Sequence, residues 1–388
     1  MKYYYQEKMT NHFYAVFHSY RPNTASINRL LSYMKVWSEM DVEVTIVFVL
    51  PDPNFSKLDV TYKSIKIVYL WDKIPMKSYI FHNVLMAYYI KSFVKKLKSG
   101  DNVYIYGDGF ILSKIFQRRD VNVYLEKTEH PEVSNPGHWP FKVSIKTYLS
   151  LCRQLNGLFV ISNPLKDYFV NSGVDMNKIH VVNMTVDPTR FEGIIKQDTG
   201  VRYIAYCGKA TNNKDGVDRL IKSFSLLSPK HPDLFLYIIG TPPKRNISGN
   251  NAELAEKLGV GDKVIFKGVV PYSEMPQVLT DATILALNRP DNLQARHGFP
   301  TKLGEYLLTG NPVVVTSVGD IPRFITDKVN GMVSNPNSIE EFADKMDWLL
   351  CHPTEADNIG YRGRNLAMKS FCNRIEAKKI IEVMLPQK

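Results

Sequence analysis

Apolar and aromatic residues in this chain gather into short runs of strand length, and between most of them apolar positions recur with helical spacing. A first series of runs is His12 to Ser19, Val42 to Leu50, Ile65 to Leu70, Val103 to Tyr106, Val121 to Leu125, Leu158 to Ile161 and Ile179 to Val182. A second starts at Tyr203 to Cys207 and continues with Leu234 to Ile239, Val264 to Phe266, Ile284 to Leu287, Val313 to Thr316 and Gly331 to Val333. This alternation predicts two consecutive α/β units, each a doubly wound sheet of parallel strands with crossover helices. Asp187 to Gly193, punctuated by Pro188 and Gly193, reads as the linker between them, and Asn373 to Leu385 as a last amphipathic helix. Ligands of such sheets bind outside the carboxyl ends of the strands, so a cleft between the units is the expected site.

Composition narrows the class without changing that picture. A chain of 388 residues with 44% hydrophobic and 22% charged residues is long enough for two or three globular domains. The first eight residues, Met1 to Lys8, lack the apolar core of a signal peptide, and no run approaches the ~18 to 20 apolar residues that span a bilayer; the expectation is a cytoplasmic protein. Cys152, Cys207, Cys351 and Cys372 are scattered, without ligand spacing, and are expected to be buried thiols. The net charge of +11 is uneven: residues 1 to 190 hold 24 Lys and Arg against 16 Asp and Glu, or +8, leaving +3 for the rest. Part of the excess lies in Phe81 to Lys98, where Lys91, Lys95, Lys96 and Lys98 follow apolar residues at helical spacing. Two readings stay open for it, a solvated helix with lysines at its carboxyl end or a peripheral contact with an anionic membrane surface. No helix-turn-helix, zinc or RNA-binding signature supports nucleic acid as a partner.

The richest chemistry lies in Gly298 to Thr316. A glycine-led turn, Gly298-Phe299-Pro300-Thr301, enters a helix carrying Lys302 and Glu305, Gly310 ends the helix, and Pro312 leads into a β-branched strand. Amides at such a helix start attract phosphate, and a carboxylate one turn in can accept hydrogen bonds from a sugar hydroxyl. A second phrase, Gly208-Lys209-Ala210-Thr211-Asn212-Asn213-Lys214-Asp215-Gly216, follows the first strand of the second series. Two lysines five apart at a strand end can set two cations against a diphosphate leaving group.

Together these phrases resemble glycosyltransferase family 4, the retaining enzymes of GT-B fold, over about Gly157 to Leu350. The match covers Gly298, Phe299, Pro300, Lys302, Glu305, Tyr306, Gly310, Pro312 and Val313. Lys209 stands at the family's arginine and Lys214 at its lysine, with Asp215 as an extra residue before the glycine. His297 stands where the family has the first of two glutamates eight positions apart. The glycine pair that relatives carry after the first strand is absent, and Asn23 or Thr24 could cap the helix there instead.

The resemblance implies an α/β GT-B fold of two Rossmann-like, doubly wound domains facing each other across a cleft, with residues 1–186 binding acceptor, 187–368 binding a nucleotide sugar, and 369–388 returning as a helix to the first domain. It implies a UDP- or GDP-sugar donor held by Gly208, Val269, Val270, Arg289, His297, Gly298, Phe299, Pro300, Thr301, Lys302 and Glu305, with Glu305 on the ribose. Lys209 and Lys214 would stabilise the leaving diphosphate. Glu129 or His130, after the strand Val121 to Leu125, would meet the acceptor or the transferring sugar. No Asp-x-Asp metal clamp is evident, so neither metal nor other cofactor is expected. A basic first half points to an anionic acceptor such as a polyprenyl-diphosphate-linked glycan in surface polysaccharide assembly. A GT-B sugar-nucleotide epimerase, a phosphorylase-like enzyme and a non-catalytic sugar-nucleotide-binding protein share enough of these features to stay as alternatives.

Overall fold

The computed structural model describes residues 12–22, 24–50, 56–71, 79–134, 143–241 and 250–386. Met1 to Lys8, Asn23 and the side chain of Phe81 lie outside the described residues. The first sheet contains β1 (His12–Ser19), β2 (Glu43–Leu50), β3 (Ile65–Tyr69), β4 (Asn102–Tyr106), β5 (Asn122–Lys127), β6 (Gly157–Val160) and β7 (Ile179–Val181) in the order β3-β2-β1-β4-β5-β6-β7. The second contains β8 (Arg202–Cys207), β9 (Leu234–Ile239), β10 (Val264–Gly268), β11 (Ile284–Leu287), β12 (Val313–Thr316) and β13 (Met332–Ser334) in the order β10-β9-β8-β11-β12-β13. Every described pairing between these strands is parallel. Strands buried on both faces explain the near-continuous apolar runs, as in Ile284–Leu287 and Val313–Thr316, where each residue is buried. Strand order reverses between β1 and β4 in one sheet and between β8 and β11 in the other. Such reversal points leave a crevice at the carboxyl ends of the two central strands.

The chain forms two compact units. The first comprises Met1–Ile161, Leu165–Val182 and Asn373–Lys388, the second Ser162–Pro164 and Asn183–Cys372. Compared with the boundaries 1–186, 187–368 and 369–388 expected from the sequence, the chain enters the second unit four residues earlier and leaves it four residues later. The packing gives the reason: Val186 N donates to Phe371 O (2.9 Å), Val186 bridges Cys372, and Met184 and Val186 lie against Gly304.

In the first unit the helix Asn373–Met384 buries Ala377, Ile380, Ile381 and Met384, one helical face. Trp37 Nε1 donates to Ala377 O (3.1 Å) and Asn373 Nδ2 to Ser32 O (3.0 Å), tying this C-terminal helix to Ala25–Trp37. The helix Tyr79–Lys96 buries Met86, Ile90, Phe93 and Val94, with the Phe93 ring 5.4 Å from Tyr14. These four residues are therefore part of the unit's core, and the outward side carries Val84, Tyr88, Lys91, Lys95 and Lys96. Of the cysteines, Cys152 is buried and Cys207 and Cys372 half-buried, but Cys351 is exposed at the end of the helix Ile339–Cys351, contrary to the expectation of a buried thiol.

Candidate functional site

The second sheet ends in bare backbone at its reversal point. Gly208, Gly240 and Gly268 terminate β8, β9 and β10, and they are linked by Gly208 N to Ile239 O (2.8 Å) and Gly240 N to Gly268 O (2.7 Å). Gly208 has φ +142°, and a Cβ there would lie 2.6 Å from Lys302 Nζ, so both the backbone and the neighbouring ammonium select glycine. Beyond it, Asn212–Asp215 makes a single helical turn, and Gly216, at φ +64° and packed against the Asn288 carbonyl, separates that turn from the helix Val217–Leu227. This kink leaves Lys214 half-buried and drives the next side chain, Asp215, inward to 5% exposure.

Asp215 is the centre of a charged cluster assembled from the carboxyl ends of β8 and β11 and the start of the helix Lys302–Leu308. Lys302 Nζ donates to Asp215 Oδ2 (2.6 Å) and to Tyr206 Oη (3.0 Å), Tyr206 Oη donates to Asp215 Oδ2 (2.8 Å), and Arg289 Nε lies 4.0 Å from Asp215 Oδ1. Arg289, which follows β11, is 1% exposed and also donates from Nε to Lys214 O (3.3 Å). Burial pushes the Asp215 carboxyl up, but Lys302, Arg289 and the Lys302 and Tyr206 hydrogen bonds outweigh it and hold the group below the usual carboxylate value. Burial likewise lowers the Lys302 ammonium, and Asp215 offsets only part of that. An ammonium held in low dielectric beside unsubstituted backbone acts strongly on any anion that reaches it.

The other residues singled out from the sequence fall around this cluster or away from it. Lys209 is exposed, and only its carbonyl comes near the cluster, 2.9 Å from Tyr206 Oη. Glu305 accepts a hydrogen bond at Oε1 from Arg190 Nη1, while Arg190 also covers the Tyr272 ring at 3.5 Å. His297 is half-buried; its Nδ1 donates to Leu293 O (2.9 Å) and its own carbonyl accepts from Ser162 Oγ. Gly298, Phe299 and Pro300 are buried, Phe299 against the rings of Phe324 and Phe371, and Thr301 precedes the two-turn helix Lys302–Leu308 without a side-chain cap. Val269 is exposed and Val270 half-buried just past Gly268. Sequence reasoning missed Asp215, Tyr206 and Arg190. Asp215 had a visible signal, a carboxylate beside the left-handed Gly216 position; Arg190, inside the linker phrase, had none.

In the first unit, His130 is 3% exposed, its ring tilted against Tyr168 with centroids 4.1 Å apart and Nδ1 accepting from Glu132 N (3.3 Å), while Glu129 is half-buried. Glu126, in the preceding strand β5, turns into the core, where Arg29, Tyr104 and Tyr33 donate to it. The reversal point between β1 and β4 is flanked by His18 and Asp108, whose Nε2 and Oδ2 lie 3.9 Å apart, a pair that sequence reasoning also missed. Thr24 flanks the helix Ala25–Trp37 with extended backbone and no side-chain cap bond.

Among the described residues, His231, Asp347 and Cys351 form one group with ligand atoms within 4.8 Å of one another. Asp347 is already engaged by Lys230 (2.7 Å) and His231 (2.7 Å), and His231 precedes β9, at the amino end of the sheet. The group is an ion-pair cluster remote in the topology from the glycine ends. No helix of the described residues is long and apolar enough to cross a membrane.

Comparison with known proteins bears on the second unit most directly. Residues 189–366 match the glycosyl transferases group 1 family. The chain is 26% identical over 188 residues, 48% of each chain, to a GDP-mannose-dependent alpha-(1-6)-phosphatidylinositol monomannoside mannosyltransferase of Mycolicibacterium smegmatis. It is 24% identical over 262 residues, 63% of this chain and 56% of the other, to mannosylfructose-phosphate synthase of Agrobacterium fabrum. The chain thus spans about half the length of these curated relatives. Its fold is similar, with TM-score 0.72 over 96% of this chain and 98% of the other at 14% identity, to Anabaena HepE in complex with UDP-glucose. Two parallel-sheet units of this kind are the architecture of GT-B glycosyltransferase structures, and residues 189–366, which match the glycosyl transferases group 1 family, supply the glycine ends and the Asp215 cluster.

Proposed function

We propose that the protein is a glycosyltransferase that moves a hexosyl group from a nucleotide diphosphate sugar to a glycan acceptor with retention at the anomeric carbon. The observation that carries this reading is the convergence of bare backbone at Gly208, the Lys302 ammonium and the carboxyl end of β11 at the reversal point of a group 1 domain. Departure of the nucleoside diphosphate builds negative charge, which fixed cations stabilise more in the transition state than in the bound donor. In a retaining reaction of this kind, the acceptor oxygen forms the new bond to the anomeric carbon as the carbon–phosphate-oxygen bond breaks. The acceptor proton passes to the departing phosphate. Glu305, oriented through Arg190 at one oxygen, offers the other to a ribose hydroxyl. Val269 and Val270 would line the base, and His130 and Glu129 would orient the acceptor.

A UDP- or GDP-linked donor agrees with the GDP-mannose named for one relative and the UDP-glucose named for a structural neighbour. The lysine-bearing side of Tyr79–Lys96 supports a lipid-linked, anionic acceptor at a membrane surface, in surface polysaccharide assembly, through charge rather than insertion, because Met86, Ile90, Phe93 and Val94 are already buried. A second reading, a sugar-nucleotide-binding protein without transfer activity, is favoured by His297 at the position of the family's first acid. Incubation with UDP-, GDP- and ADP-sugars and extracted lipid-linked glycans, followed by nucleotide release and NMR of the new linkage, separates the two. Transfer with an axial-to-axial or equatorial-to-equatorial outcome is expected. Tight nucleotide binding without turnover for every donor and acceptor pair would favour the second reading, and an inverted product would remove the retaining mechanism.

A further inference from the structure

Spacing alone offers Lys209 and Lys214 as the cations for a diphosphate, but the cation that the fold brings against the bare backbone of Gly208 is Lys302, from a helix almost a hundred residues away in sequence. Two of the three Lys302 donors are engaged by described residues, Asp215 Oδ2 at 2.6 Å and Tyr206 Oη at 3.0 Å, and the side chain keeps 16% exposure. Asp215 in turn takes Lys302 on one oxygen and has Arg289 4.0 Å from the other. A lysine on a four-carbon stem is a poorly placed point charge unless something holds it. Asp215 does so, and Tyr206, accepting from the lysine and donating to the carboxylate, closes the triangle.

From this arrangement we infer that Asp215 is a positioning residue that sets Lys302 as the cation for the diphosphate of a nucleoside diphosphate at the carboxyl end of β8, the role that spacing assigns to Lys214. The inference rests on the donor reading above. Each partner needs the other: Asp215 alone would set a buried negative charge against phosphate, and Lys302 alone would turn toward water. The pair also accounts for Gly208, since any side chain there would collide with the ammonium, and for Gly216, whose left-handed turn aims Asp215 inward rather than Lys214.

The test measures affinity for UDP, GDP and ADP against the matching monophosphates by calorimetry, so that contacts to base and ribose cancel. Asp215→Asn leaves a buried lysine without its partner and could unfold the unit, so the deciding variant is Asp215→Asn/Lys302→Met, which removes both charges and keeps similar volume. Its fold is checked by circular dichroism and melting. The wild type should prefer one diphosphate over its monophosphate, and the folded double variant should lose about 10- to 100-fold of that preference, the worth of one hydrogen bond to a charged group. Lys214→Met should lose less. A folded double variant that keeps the full preference, or a preference lost only in Lys214→Met, overturns the pair while leaving the donor reading standing. A wild type with no preference for any diphosphate overturns the donor reading, and the pair with it.

Discussion

In each unit a buried carboxylate, Glu126 or Asp215, is met by a cation and tyrosines, and the two clusters differ in what lies beside them. In the first unit Glu126 is 0% exposed and receives Arg29, Tyr104 and Tyr33 within the core around Trp37. Arg29 also donates from Nη2 to Val182 O (3.0 Å), on the same unit's backbone. In the second unit Asp215 receives Lys302 and Tyr206, yet the ammonium lies at a strand end beside unsubstituted glycine. The same chemistry is a core brace where it is enclosed and a ligand-facing device where it borders bare backbone. A buried ion pair therefore says little about function until its surroundings are known.

The largest effect should come from breaking the enclosed cluster. Glu126→Ala leaves Arg29 buried without its carboxylate and should cost about 3–5 kcal/mol in chemical denaturation, with the diphosphate preference intact in the folded fraction. A loss under ~1 kcal/mol would show that the first cluster is not a brace. Next is Gly208→Ala, which requires a side chain at φ +142° beside Lys302; it should cost about 1–3 kcal/mol and weaken diphosphate binding more than monophosphate binding. Equal weakening of both would separate Gly208 from the phosphate-facing device. The smallest effect is a pH dependence. Because the folded Asp215 value is depressed, its stabilisation is fully present above the ordinary value of 3.8 and fades as pH falls through the lower folded value. Asp215→Asn/Lys302→Met should therefore flatten the stability curve in that acid window relative to wild type. Parallel curves would mean that Asp215 contributes nothing through its charge.

The strands were the most legible part of the chain. Ile284 to Leu287 and Val313 to Thr316 match β11 and β12 residue for residue, because a strand covered on both faces shows an uninterrupted apolar run bounded by polar or proline punctuation. The C-terminal helix was legible for a similar reason, its buried residues keeping one helical face. The unit boundary was less so, since Met184 and Val186 look like any apolar pair until Gly304 packs against them. Cys351 sits beside apolar Leu349 and Leu350, and only the orientation of its helix puts it outside.

The chain by itself determined two doubly wound sheets and the glycines that end the strands, because these depend on local periodicity and backbone preference. Tertiary structure alone decided which charges meet. Lys214 and Asp215 are neighbours in sequence, yet one turn of helix and a left-handed glycine bury the second and leave the first at the edge. Lys302 reaches that carboxylate only because strand order sets β8 beside β11, whose partner β12 follows the lysine's helix. Electrostatic partnership falls off with distance in space, and sequence spacing carries no record of it.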